Sequence, residues 1–469
     1  MATPKKPAGI APATFPRKAQ PVALNQFRTD RSPLEKNHFR RALLAGLVHP
    51  GGLILRASPI LSLLAASLII LAPTHALAQE QPQNPEDQSV AVRDRPRPEY
   101  DPMGVRFGGF DLNASLELAA TSNDNIFAEE TDTDSDIILA LTPRARLSSH
   151  WSRHALSLEA GGTFPKYRDG DHSSEEVNTG FARAYGRYDV GANTSVSGSA
   201  GIAHAVESRL DPDAPAQGVN PVEYDSSDLS AGVTHNFSRF QVSASAAHSE
   251  YNYDGPQRFR DFTQDGVTGR VEAQVSPRIG LLLEATTDKR DYDNSPEFNS
   301  EGQTYLVGAT LHLTDLLRGR LAVGQFNRDY DGTPGNSFSE SGLAIDANLE
   351  WYVTRLTTVT VTGSRNSEDT IGATTANPYV ATRYGVRVDH ELLRNLIVGA
   401  GVQFGNRDYD GITLKDDVTH FDAGADYLIS RRWAIRARYD HDELDSSGAG
   451  SAGRDYEVNQ FTVGLAFRL

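Results

Sequence analysis

Three stretches set a guanidinium, two carboxylates and a phenol side by side: Arg290-Asp-Tyr-Asp293, Arg328-Asp-Tyr-Asp-Gly332 and Arg407-Asp-Tyr-Asp-Gly411. A fourth, Tyr251-Asn-Tyr-Asp-Gly255, lacks the arginine. Suppose Arg290, Asp291, Tyr292, Arg328, Asp329, Tyr330, Arg407, Asp408 and Tyr409 lined one aqueous passage, with Arg438 farther along the chain. They would then form a charged constriction that sorts ions. Their phenol rings would offer stacking faces to sugars. The plainer reading gives the same groups a structural task, as ion pairs inside a wall and tyrosines at an interface. These residue types favour it.

The spacing shows what kind of element carries them. Tyr253, Tyr292, Tyr330 and Tyr409 are separated by 39, 38 and 79 residues, a unit of about 39 with one degenerate copy near Arg365. A fixed period of this kind marks a repeated structural unit. Two strands of roughly ten residues, a short turn and a long polar loop fill it, which is the unit of a transmembrane β-barrel.

From Phe107 onward the polarity alternates with period two. Tyr305, Val307, Ala309, Leu311 and Leu313 alternate with Thr304, Gly308, Thr310 and His312. Trp433, Ile435, Ala437 and Tyr439 alternate with Arg436, Arg438 and Asp440. Apolar out with polar in is the barrel pattern; a soluble sandwich alternates as well, with its apolar face inside. The number of regular hairpins and the unequal connections favour the barrel. About eighteen strands can be placed, from 107–121 and 136–148 through 279–290, 342–352 and 356–366 to 456–468, an even number that returns both ends to one side.

Connections such as Asn236-Phe-Ser-Arg239, Val353-Thr-Arg355 and Ser430-Arg-Arg432 are short. Others, such as 254–264, 291–302, 367–380 and 445–455, are long and polar. Short turns belong to the periplasmic side and long loops to the extracellular side. The Tyr-Asp signature is therefore expected where strands leave the outer leaflet. Trp351, Tyr352, Tyr427 and Trp433 are expected in an aromatic girdle at the turn side.

The N-terminal region is of another kind. Arg56 heads an apolar run from Ile60 to Leu71, and Ala76-Leu-Ala78 is a small-x-small cleavage site before Gln79. Residues 53–78 read as a secretory signal peptide, preceded by a basic, proline-rich extension that carries no fold. Residues 79–106 hold Pro82, Pro85, Pro96, Pro98 and Pro102 and show no periodicity. They read as a short disordered periplasmic arm, a plain leader or a segment that tucks into the barrel mouth. The predicted organisation is 1–78 extension and signal, 79–106 arm, and 107–469 barrel.

The net charge of −16 understates the charge of the processed chain. Residues 1–78 hold ten Lys/Arg and two Asp/Glu, leaving 35 cations against 59 acids. Only Lys166, Lys289 and Lys415 among those cations are lysines. Arginine suits a crowded polar interior, because its planar fork pairs with both carboxylate oxygens. The acidic balance excludes nucleic acid as a partner. With no cysteine there is no disulfide framework, thiolate metal site or cysteine nucleophile. Downstream of residue 78 no stretch offers the eighteen or so apolar residues of a spanning helix.

At the first strand the chain reads Arg95-Pro-Arg-Pro-Glu-Tyr-Asp-Pro-Met-Gly-Val-Arg-Phe-Gly-Gly-Phe110, followed by Thr121-Ser-Asn-Asp-Asn-Ile-Phe127. It resembles the putative β-barrel porin 2 group of Gram-negative outer-membrane proteins, over roughly residues 90–469. The resemblance implies a large barrel in the outer membrane, with some similar proteins linked to exopolysaccharide export. No catalytic motif comes with it. The chain end, with Phe461, Val463, Leu465, Phe467 and Leu469 on one face, resembles the signal by which such barrels are recognised for insertion.

Other chemistry is weakly supported. Asp132-Thr-Asp-Ser-Asp136 starts like a calcium loop, but Ile137 and Pro143 stand where that loop needs Gly and Glu. His204, His248, His312, His390 and His420 fall on strands without a Gly-x-Ser-x-Gly elbow. No metal, cofactor or catalytic residue is expected. The reading is an all-β, transmembrane, antiparallel up-and-down barrel that conducts passively. Its partners would be outer-membrane lipids, polysaccharide or small solutes, and a periplasmic export partner. The alternative is a non-conducting structural or surface-binding barrel.

Overall fold

The computed structural model describes residues 90–469 apart from 213, 215–218, 315, 334–335, 370–376 and 452–453. Residues 1–89, which include the predicted signal peptide (53–78), lie outside the described residues. A short strand β1 (Val105–Phe107) precedes β2 (Phe110–Asn123), β3 (Asp136–Ser149), β4 (Ala155–Tyr167), β5 (Thr179–Asp189) and β6 (Thr194–Val206). Then come β7 (Glu223–Asn236), β8 (Phe240–Tyr253), β9 (Phe262–Ser276), β10 (Ile279–Tyr292), β11 (Ser300–Thr314) and β12 (Leu317–Thr333). The rest are β13 (Asn336–Thr354), β14 (Thr357–Glu368), β15 (Tyr379–Leu393), β16 (Leu396–Tyr409), β17 (Lys415–Leu428), β18 (Trp433–Ser447) and β19 (Tyr456–Arg468).

Strands β2 to β19 pair antiparallel in chain order, and Gln460–Arg468 of β19 returns to Asn123–Ser115 of β2. The eighteen strands form a closed barrel, as the alternation predicts. Closure leaves no sheet edge, which is how a sheet satisfies its backbone in lipid. Strand β1 folds back on the start of β2 through Gly108, whose φ of +54° favours glycine.

Alternation assigns the faces. Leu118, Leu139, Ile202, Leu229, Val267, Leu283, Val307, Leu343 and Val463 are large, apolar and exposed on the outside. Trp351, Tyr427 and Trp433 are also exposed, at the turn side. Tyr352 departs from the expected girdle: it is buried and points inward, where the Arg318 guanidinium lies over its ring at 5.1 Å. Adjacent residues of a strand face opposite sides, so Trp351 and Tyr352 cannot both meet lipid.

Three features fill part of the interior. First, the arm is ordered from Val90 to Gly104, correcting the expectation of a disordered leader for that part. Val92 is buried with Ile397, Leu428 and Ala434, and its N–H donates to Thr358 Oγ1 at 3.0 Å. Second, β13 pairs with β14 only from Ile345/Arg365 toward the turn. Beyond that point the outer ends of β14 and β15 lie against the inner face of β10–β13. Val380 accordingly packs with Leu282, Leu306, Ala322, Phe326 and Ala344. Third, the connection between β6 and β7 reaches in from the loop side. Leu210 is buried with Val418, Leu444, Tyr456 and Val458, and Tyr456 donates to its carbonyl at 3.1 Å.

Candidate functional site: the barrel interior

The signature residues lie at the loop-side strand ends, and the pleat divides them. Arg290, Tyr292, Arg328, Tyr330, Arg407 and Tyr409 turn inward. Asp291, Asp329 and Asp408 turn outward, to Lys289, Ser339 and Lys415 respectively. Those three carboxylates therefore do not join an inward charged ring with the arginines, because position i+1 of a strand faces away from i and i+2.

The inward groups form buried ion pairs. Arg328 is 1% exposed, pairs with Asp288 and donates to Ser300 Oγ at 2.8 Å. Asp369, beyond β14, accepts from Arg290 and from the Tyr330 hydroxyl, the latter at 2.7 Å. Tyr409 and Arg454 donate to Asp416 at 2.8 and 2.7 Å, with Arg407 at 3.5 Å. Arg383 grips Glu368 with two bonds of 2.6 and 2.8 Å, and Tyr379 adds a third at 2.9 Å. A buried carboxylate is tolerable only with such partners. The infolded β14–β15 ends supply several of them, so this half of the interior is a packed polar core.

A second network secures the arm at the turn side. Arg93 bonds Asp389 at 2.5 Å and Asp426 at 3.2 Å. Arg97 bonds Glu391 at 2.8 Å. Arg431 donates to the Pro98 carbonyl at 2.9 Å, and Arg468 to that of Tyr100 at 3.1 Å. The carboxyl of Asp94 is pushed up from 3.8 to about 7, first by burial and then by Glu350 and Asp389. At the opposite mouth, Glu207 pairs with Arg260 at 2.6 Å and Arg209 with Glu175 at 2.5 Å. Burial raises the Glu207 carboxyl, and Arg260 opposes it.

The inner face of β3–β7 is different. Arg144, Arg146, Glu159, Tyr185, Ser199, Asp228 and Ser230 keep partial solvent contact there, and Arg183 is exposed. Both Arg144 and Arg183 place a guanidinium over the Phe181 ring, at 5.7 and 5.1 Å. Arg438, inward on β18, also retains solvent contact. It is the one inward-facing predicted residue outside the packed signature network. Arg144 and Arg183 were not singled out in sequence because they lack the repeated signature; the signal was their placement on the polar face of alternating strands.

Among the described residues no group of three or more His, Asp or Glu is placed to hold a metal ion. In the region of the calcium-like run, Asp136 accepts from His172 Nδ1 at 2.9 Å and from backbone amides.

A closed barrel with an apolar belt outside and a charged interior defines a porin-like protein of the bacterial outer membrane. The chain belongs to the family described as Putative beta-barrel porin 2, whose model matches residues 97–469. Among solved structures it is similar to OccAB2 of Acinetobacter baumannii, at 14% identity and TM-score 0.45 over 77% of this chain and 98% of that one. It is also similar to OpdL of Pseudomonas aeruginosa, at 15% identity and TM-score 0.43 over 77% and 100%. A BenF-like porin from Pseudomonas fluorescens Pf-5 matches at 10% identity and TM-score 0.44 over 76% and 99%. No curated protein matches in sequence.

Proposed function

We propose that the protein is a passive conduit across the outer membrane, with its path along the inner face of β3–β7. One observation carries this reading: charged and hydroxylic inward side chains remain in solvent contact on that wall, while the opposite half is packed. A barrel of eighteen strands is wide enough to keep an aqueous passage beside partial fillings. The permeant is a small polar solute. The exit of exopolysaccharide is a second reading, supported by the resemblance of residues 90–469 to a group that includes export proteins. A periplasmic export partner would then meet the barrel on the side where the arm docks.

Planar-bilayer recording of the refolded protein tests the conduit. Stepwise conductance, larger after deletion of residues 79–104, is the expected result. Silence in both forms would overturn it and favour a structural or surface-binding barrel, as the three interior fillings would then seal the lumen. Current blocked by an acidic polysaccharide would favour export over general diffusion.

A further inference from the structure

Resting on the conduit reading, the geometry points to a binding station for small hydroxylated carboxylates, such as sugar acids, formed by Arg144, Phe181 and Arg183. Most inward arginines of this barrel are committed to carboxylates. Arg270 and Arg320 share Glu284, Arg387 holds Asp389 and Asp422, and Arg436 holds Glu117 and Asp426. Arg144 and Arg183 differ. Among the described residues neither closes an ion pair with a carboxylate, although Glu159 stands directly across from Arg183 and acts on Arg144, and Asp228 interacts with Arg183 through charge; each guanidinium lies over the Phe181 ring.

Position makes this arrangement useful. The pairing Arg144↔Gly161↔Phe181 sets the first arginine level with the ring, and Arg183 follows two residues along β5. Across Arg183 the neighbouring strand carries Gly201, where a Cβ would stand 3.4 Å from the arginine's own Cγ. The same point lies 3.5 Å from Asp228 Oδ2, so this aspartate flanks the arginine's stem. The same wall presents the hydroxyls of Ser199 and Ser230, 2.7 Å from each other. A guanidinium fork matches the two oxygens of a carboxylate, and hydroxyls suit a polyhydroxylated body. The ring holds both guanidinium groups through cation–π contact. An anion entering the passage therefore finds two guanidinium groups that no carboxylate holds in a closed ion pair, with Glu159 and Asp228 as its nearest competitors.

The experiment uses the full chain refolded in detergent, with sodium gluconate as the probe. Gluconate binding is followed by calorimetry and, separately, permeability ratios by reversal potential in bilayers. The expected result is saturable binding that weakens roughly tenfold or more in Arg144→Gln/Arg183→Gln, since each removes a charge-assisted bond. The reversal potential of that variant moves toward cation preference. Arg144→Lys/Arg183→Lys keeps the charge and retains selectivity but loses gluconate affinity, because a point charge lacks the fork. Heat-modifiable gel mobility checks that each variant is folded. Folded Gln variants that bind gluconate as the native protein does would overturn the station. Gluconate binding in a protein that is silent in bilayers would overturn the conduit and leave the station standing.

Discussion

Raising the pH from about 5 to about 8 is expected to loosen the arm from the periplasmic mouth, through Asp94. Its carboxyl stands at about 7 when docked, raised by burial and by Glu350 and Asp389 against the pull of Arg93 and Arg318. In the released arm it returns to the ordinary 3.8. The docked state thus binds the extra proton, so docking is strongest at low pH and weakens as pH rises from about 4 to about 7. Above that it stays level. Three pK units are worth about 4 kcal/mol at about 1.4 kcal/mol per unit. Over the window used, the docking constant would fall roughly a hundredfold. Asp94 keeps some solvent contact, and screening brings the change toward roughly tenfold. Proteinase K cleavage within the arm, in detergent micelles, reads the released fraction; trypsin does not serve, because proline follows Arg95 and Arg97. Cleavage is expected to accelerate with pH in the native chain, beyond the protease's own pH dependence. In Asp94→Asn it should stay slow across the range. His312, level with Arg318 on the adjacent strand, is removed in a His312→Gln control. Equal cleavage of native protein and Asp94→Asn at about pH 8 would refute the reasoning.

Four further outcomes follow from the same geometry. Arg383→Ala leaves Glu368 buried without its bidentate partner and should cost about 3–5 kcal/mol, read by urea unfolding in micelles. Val307→Arg places a charge near the middle of β11 on the lipid face and should cost about 2–4 kcal/mol in the same assay, whereas Asp291→Asn should leave ion selectivity unchanged. Leu210→Asp removes the apolar anchor of the β6–β7 connection, a burial worth about 1.5–3 kcal/mol, and should raise single-channel conductance.

The barrel was legible because lipid imposes one rule on every strand. The predicted strand 279–290 is Ile279–Tyr292, and 356–366 is Thr357–Glu368. Turn-side ends were read closely because short turns pin them. Loop-side ends were read short: the predicted 342–352 extends to Asn336–Thr354. There the ladder continues through polar residues after the lipid belt has ended, so hydrogen bonding persists where the hydrophobic signal stops. The outward turn of Asp291, Asp329 and Asp408 was available from the same alternation. A four-residue run along a strand is split between its two faces and cannot act as one unit.

What sequence pattern could not show was how the interior is shared out. Period two places Arg93, Glu368, Arg383 and Asp389 on no particular neighbour, since their partners lie across turns, across the lumen or in the arm. Arg93, Arg95 and Arg97 do repeat at every second residue, as an extended basic segment would when laid against Asp389, Asp426 and Glu391. That run was the one sign that the arm has a seat inside. The docked arm, the infolded β14–β15 ends and the buried signature all draw carboxylates and arginines into closed pairs on the same side of the barrel. The consequence falls on the other side. With most pairs satisfied elsewhere, Arg144 and Arg183 remain outside any closed ion pair among the described residues, beside a partly solvated wall. The signature that first suggested a constriction therefore bears on selectivity indirectly, by packing one half of the barrel and leaving passage to the other.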